Sequence, residues 1–231
     1  MAILVIGAKC SLGEAVVDKL LSMDIDVIAE ESSHYFRNQS VLKYTNSKLL
    51  DQGTGFSISF DGSEADIVVG RDIILHDIVP TRVDKWLAPE IRQWIVGKNH
   101  ETSNSRFWLS VTDAANAISH LIKAGIKPNK SIHMCGRREW LPEDSKAEFD
   151  MLWERTNQGQ SGEFTAETLF GHQIAGMEPK PISYAGKQRP DLSPLHEILL
   201  DLTGDGWRPM VQLRTMFMTL IADVVNNVGE E

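Results

Sequence analysis

The stretch YTNSK, residues 44 to 48, sets a tyrosine four positions ahead of a lysine. Residues four apart on an α-helix share a face, so on a helix Tyr44 and Lys48 reach into one cleft. There an ammonium favours a neighbouring phenolate, and such a phenol can exchange a proton with a substrate hydroxyl. The same spacing also fits an ordinary amphipathic turn in which Tyr44 packs half-buried. A second suggestive stretch is GAKCSLG, residues 7 to 13. Between a strand and a helix, a first glycine permits a tight turn and a last one lets the helix pack closely, while the free N–H groups of the helix face an anion. Gly7 and Gly13 fill those two places. Cys10 stands where a backbone must approach the phosphates, and its side chain is expected to crowd them. The plain alternative is a turn into a packed helix.

These residues need a scaffold, and the apolar pattern supplies one. The run AILVI (2–6), ended by Gly7, reads as a strand buried on both faces. Leu12, Ala15, Val16, Leu20 and Leu21 then recur at helical spacing. Further strands are predicted at 25–29, 65–75 and 131–135. The clearest helix covers 110–125, with Thr112 as its cap, Ala114, Ala117, Ile118, Leu121 and Ile122 on one face, and Gly125 at its end. Others are predicted at 142–156 and 211–225, with a polar loop at 157–163 and an irregular proline-rich segment before the last helix. The pattern predicts an α/β fold, a Rossmann-like parallel sheet of reduced strand number. Residues 1–136 would form a dinucleotide-binding domain, with 80–108 contributing to the substrate side. Residues 137–231 would form a small C-terminal substrate or interaction subdomain.

Composition narrows the function classes. The 231 residues carry a net charge of −9, which provides no basic footprint for nucleic acid or an anionic membrane. Cys10 and Cys135 are the two cysteines, without CxxC spacing, so neither a disulfide framework nor a metal site is indicated. With no leader or long apolar run, a reducing, cytoplasmic location is the expectation. Six tryptophans read as packing residues, and His76 as a core or surface histidine.

Taken in order, ILVIGAKCSLGEAVVDKLL, YTNSK, RFWLSVTDAANAISHLIKAG, RPDLSP and GDGWRP resemble the extended short-chain dehydrogenase/reductase family, the NAD-dependent nucleotide-sugar epimerases and dehydratases, in a shortened form. The resemblance implies Tyr44 as acid/base, Lys48 as its electrostatic partner and a ligand of the nicotinamide ribose, and Ser33 as the residue that orients the phenol. It implies NAD or NADP held at Gly7, Leu12, Gly13 and Lys48, and a nucleotide-linked sugar whose diphosphate is gripped by Arg106 and Arg189. Only thirty residues separate Gly13 from Tyr44, so residues 25–36 match either the family's second strand, with Glu31 or Glu30 as the ribose-binding acid, or its fifth, with Ser33 as catalytic helper. The order of the serine pair and YxxxK favours the fifth. Cofactor binding is then expected to be weak, because Cys10 crowds the turn and little is left to hold the adenosine.

Two functions follow: an NAD(P)-dependent epimerase, dehydratase or reductase, or a non-catalytic binding or assembly protein on the same fold. A sheet with fewer strands exposes an edge, so homo-oligomerisation is expected as well.

Overall fold

Ile3, Val5, Val27, Ile58 and Ile67 alternate along their strands onto one side of a parallel sheet and are buried there. The computed structural model describes residues 2–30, 33–98, 104–161 and 186–228, with the backbone alone for 157–161 and 228. The sheet contains β1 (Ile3–Ile6), β2 (Val27–Ile28), β3 (Leu49–Leu50), β4 (Phe56–Ser59) and β5 (Ile67–Val68), in the spatial order β3-β2-β1-β4-β5. Every pairing is parallel, so this is a Rossmann-like α/β fold. Two parallel pairs follow: β6 (Ile73–Leu75) with β9 (Ile132–Met134), and β7 (Ile78–Val79) with β8 (Leu109–Ser110).

The helices are α1 (Ser11–Ser22), α2 (Ser33–Arg37), α3 (Gln39–Tyr44), α4 (Pro89–Ile95), α5 (Val111–Lys123), α6 (Pro142–Ser161), α7 (Ser193–Thr203) and α8 (Leu213–Val228). Val16, Leu20, Ile118 and Leu121 bring α1 and α5 together over the buried side of the sheet. A second core joins Trp94, Phe149 and Phe217, whose ring centroids lie 5.5 to 6.4 Å apart, with Val79, Leu87 and Trp108. Leu195 and Leu199 of α7 belong to the first core, and Leu87 and Ile91 to the second. The two cores therefore interleave along the chain.

Several expectations change. Residues 25–29 form the second strand, not the fifth: Val27 and Ile28 pair directly with Ile3 and Leu4. The run 65–75 is broken at Gly70, whose φ of +98 admits the turn, so it yields two strands. Ser110, not Thr112, caps α5, its hydroxyl accepting from the Thr112 N–H at 3.0 Å. Helix α6 runs on through the predicted loop to Ser161.

No helix spans YTNSK. Helix α3 ends at Tyr44 and Thr45 is already extended. Beyond β3, residues 51–55 carry the chain past β2 and β1 to β4. Three strand spacings are about 14 Å and six Cα steps reach about 20 Å, so the link spans the gap only in a largely extended form. Its glycines serve that path: a Cβ on Gly53 would meet Ile28 Cδ1 at 2.8 Å, and one on Gly55 would strike the Ala2 carbonyl oxygen.

Candidate functional site

The C-terminal ends of β1, β2 and β4 deliver Gly7, Glu30 and Asp61 to one groove of about 410 Å³, lined also by Lys9, Cys10, Asp84 and Lys85. Open parallel sheets bind ligands at this kind of place, where connections leave a central strand in opposite directions. Gly7 has φ +66, and a Cβ there would meet Asp61 Cγ at 2.6 Å, so the turn requires glycine. Gly13 allows close packing, since a Cβ would stand 2.6 Å from Ala8 Cα. Both glycines thus have the geometric roles predicted for them.

Two of the amides at the start of α1, those of Ser11 and Gly13, are engaged by side chains. Asp84 Oδ2 accepts from the Ser11 N–H at 2.7 Å and from the Ser11 hydroxyl at 2.6 Å. The Gly13 N–H points to Cys10 Sγ at 3.4 Å, and the Glu14 N–H donates to the Cys10 carbonyl at 3.0 Å. Cys10 therefore turns into the helix end as its cap. What stands before the first helical amide is the carboxylate of Asp84, in the position an anionic ligand of a helix N-terminus takes.

Asp84 is held from several directions. Its Oδ1 accepts from the Trp86 N–H at 2.8 Å, and its carbonyl accepts from Arg92 at 3.1 Å. Lys85 Nζ donates to the Phe60 carbonyl oxygen. Arg82 reaches back to the Lys9 carbonyl at 2.8 Å and forks onto buried Glu14 at 2.5 and 2.9 Å, where Arg37 joins at 2.7 Å. Across the groove, the Ser63 N–H and the Ser59 hydroxyl donate to Asp61 at 3.0 and 2.9 Å, and hydrogen bonds from Ser63 and then Ser59 hold its pKa down at about 2. Three carboxylates, on Glu30, Asp61 and Asp84, face two ammonium groups, on Lys9 and Lys85.

The other expected site residues lie elsewhere. Lys48 directly precedes β3, its N–H donating to Asp26 at 2.8 Å and its carbonyl accepting from Val27 at the start of β2. That is the N-terminal edge of a parallel sheet, opposite the edge that carries Gly7. Tyr44 is 81% exposed, Lys48 and Ser33 are exposed, and Ser33 begins the short helix α2. Tyr44 and Lys48 therefore do not form the predicted helical pair. Leu12 is wholly buried in the first core. Glu31 lies outside the described residues, whereas Glu30 stands exposed at the end of β2.

Arg106 is occupied internally, 2.8 Å from Asp77 and 2.6 Å from Glu90, both buried carboxylates. Arg189 is exposed and donates to the Arg137 carbonyl at 3.1 Å, beside a second cleft of about 490 Å³ lined in part by His196 and Trp207. His76, just past β6, and His133, in the middle of the adjacent β9, share a hydrogen bond of 2.9 Å. Among the described residues no group of metal-ligating side chains could hold an ion, and no helix is long and apolar enough to cross a membrane. Asp84, Arg82 and Asp61 had no signal in the sequence, since each acquires its role from a contact with a distant element.

No family model and no curated protein matches the sequence. Solved structures do resemble it in fold. UDP-glucose-4-epimerase from Stenotrophomonas maltophila, with bound NAD and formylated UDP-arabinopyranose, aligns at TM-score 0.58 and 9% identity over 100% of both chains. A UDP-galactose 4-epimerase aligns at TM-score 0.50 and 13% identity over 99% of this chain and 100% of its own. At such identities the likeness establishes the fold.

Proposed function

We propose that this chain is a non-catalytic binding or assembly protein built on the nucleotide-sugar epimerase fold. The observation that carries this reading is the direct passage from β5 to β6: Val68 and Ile73 are separated by four residues. A helix that offers an acid and a base above the sheet needs at least two turns, about seven residues. β4 passes to β5 through seven residues without a helix. Tyr44 and Lys48 do not make good the loss, because they lie at the opposite edge of the sheet. Asp84 adds a reason for weak NAD or NADP binding, since a pyrophosphate would have to displace a carboxylate bound by two hydrogen bonds.

The other reading is an NAD(P)-dependent epimerase or dehydratase acting on a nucleotide-linked sugar. One observation favours it. Glu30 ends β2 in the groove, the place from which an acid reaches ribose hydroxyls in dinucleotide sites. The two readings separate in one experiment: the protein is incubated with UDP-glucose and NAD or NADP, epimer formation is followed by NMR, and NADH binding by fluorescence titration. The binding-protein reading expects no turnover, and no change on Tyr44→Phe or Lys48→Met. Cofactor-dependent turnover that falls on the order of 10²–10⁴-fold in Tyr44→Phe overturns it. Homo-oligomerisation stays part of the reading, because among the described residues β3 is an edge strand and its own Leu50 is exposed. Sedimentation velocity checks that point.

A further inference from the structure

We propose that the cleft between the β9–α6 turn and the stretch leading into α8 binds an amphipathic anion, an acyl or aryl body carrying one carboxylate. The site goes beyond the binding-protein reading: it shares no lining residue with the groove beside Gly7 and contains neither Arg106 nor Arg189. Its volume, about 520 Å³, falls within the roughly 300–1,000 Å³ of small-molecule sites. Trp108, Trp140, Leu213 and Met216 supply apolar wall, and Met210 lies beside them 66% exposed. Covering such surface is what an apolar body gains by binding. The two thioethers let the wall follow either an acyl or an aryl shape. The wall is fixed from behind, since the Met210 and Val211 N–H groups each donate to Asp113 at 3.0 Å and the Trp108 Nε1–H donates to Ser145 at 2.9 Å.

Charge selects the head group. Glu148 in the lining is met by Arg214 through two hydrogen bonds of 3.1 Å, so that pair is neutral. Arg106, whose guanidinium carbon lies 5.8 Å from the Trp108 ring, is taken by Asp77 and Glu90. Arg137 and Arg138 remain. Both line the cleft, both are exposed, and among the described residues neither guanidinium has a carboxylate or hydrogen-bond partner. Arg138 Cζ sits 3.8 Å from the centroid of the Trp140 ring, which holds the cation against the apolar wall with its N–H groups unspent. A guanidinium fork matches a carboxylate in shape and charge. Helix α8 begins in the same wall, and the positive end of its dipole favours an anion there. In a chain of net charge −9, two adjacent unpaired arginines beside exposed apolar surface are complementary to an apolar acid. A cationic amphiphile has the same body and the wrong charge, and a short acid has the charge without the body.

The test is calorimetry with octanoate, 2-naphthoate, octylamine and acetate on the wild type, on the double variant Arg137→Gln, Arg138→Gln, and on Met210→Glu. In the wild type, at least one of the two apolar acids is expected to bind once per chain with submillimolar affinity, and the tighter of them identifies the body as acyl or aryl. Acetate and octylamine should bind at least about tenfold more weakly. The double variant should weaken the preferred acid by about tenfold or more, the worth of a hydrogen bond to a charged group. Met210→Glu sets a like charge at the mouth and should weaken it as well. All three substituted residues are exposed, so far-UV circular dichroism should show the wild-type fold in both variants. The proposal is overturned if neither acid binds at millimolar concentration, if octylamine binds as tightly as octanoate, or if the double variant keeps the wild-type affinity. None of these outcomes bears on turnover of UDP-glucose, which decides the catalytic question by itself.

Discussion

Replacing Arg106 by Met separates a structural arginine from one kept free for a ligand. Its guanidinium lies 2.8 Å from Asp77 and 2.6 Å from Glu90, whose side chains are 8% and 4% exposed. Methionine fills much of the same volume but leaves buried Glu90 without its cation and Asp77 with only the Lys187 ammonium, 4.0 Å away. Removing one partner of a buried ion pair costs about 3–5 kcal/mol. The lower end applies here, because Arg106 is 31% exposed and Asp77 keeps the Phe107 N–H at 2.8 Å. A loss of about 3 kcal/mol in a chain of this length lowers the melting temperature by about 6–12 °C. Thermal unfolding followed by circular dichroism reads this directly. The triple variant Arg106→Met, Asp77→Asn, Glu90→Gln removes the stranded charges and should recover most of the loss. A single variant that melts within 1 °C of the wild type, or a triple variant that melts no higher than the single one, would refute the argument and return Arg106 to the role of a ligand-binding residue.

Three further outcomes are expected. Burial, and then the nearby His133, lower the His76 pKa below 6.5, with Asp77 acting the other way. Between that lowered value and 6.5 the unfolded chain binds more protons, so stability is full above about pH 6.5 and declines as the pH drops from there. Urea midpoints at pH 7 and pH 5 should differ less in His76→Gln than in the wild type. They should not become equal, because His120 is shifted the same way by burial and then by Lys19 and Lys123; an unchanged difference would contradict the shift. Burial pushes the Cys135 thiol up to about 11, so iodoacetamide at pH 8 should leave it unmodified in the folded protein and alkylate it in urea, as mass spectrometry would show. Gly136→Ala would drive a Cβ into the Trp108 carbonyl oxygen and should lower the melting temperature by several degrees, whereas Gly125→Ala meets only open space and pays only for φ +63. Equal losses at the two sites would count against the close approach at Gly136.

The sequence by itself determined the local grammar of this protein. A buried strand ended by Gly7, the capped helix that follows, the long amphipathic α5 and its stop at Gly125 all rest on residues within one element of each other, and hydrophobic period and turn chemistry are read over such distances. The α/β class followed from their order. Tertiary structure alone decided which strand residues 25–29 became, since a short apolar run carries no mark of its neighbour and only pairing with Ile3 and Leu4 makes it the second strand. That pairing matches residues 25–29 to the alternative in which Glu30 or Glu31, rather than Ser33, is the residue of interest, and it puts Lys48 at the edge of the sheet opposite Gly7. The phosphate position was decided at longer range still: Ser11 and Asp84 are 73 residues apart, and Asp84 reads in the sequence as one more surface carboxylate. A charge acquires its role from what folding brings against it, and Coulomb and hydrogen-bond partners separated by half a domain leave no periodic trace along the chain.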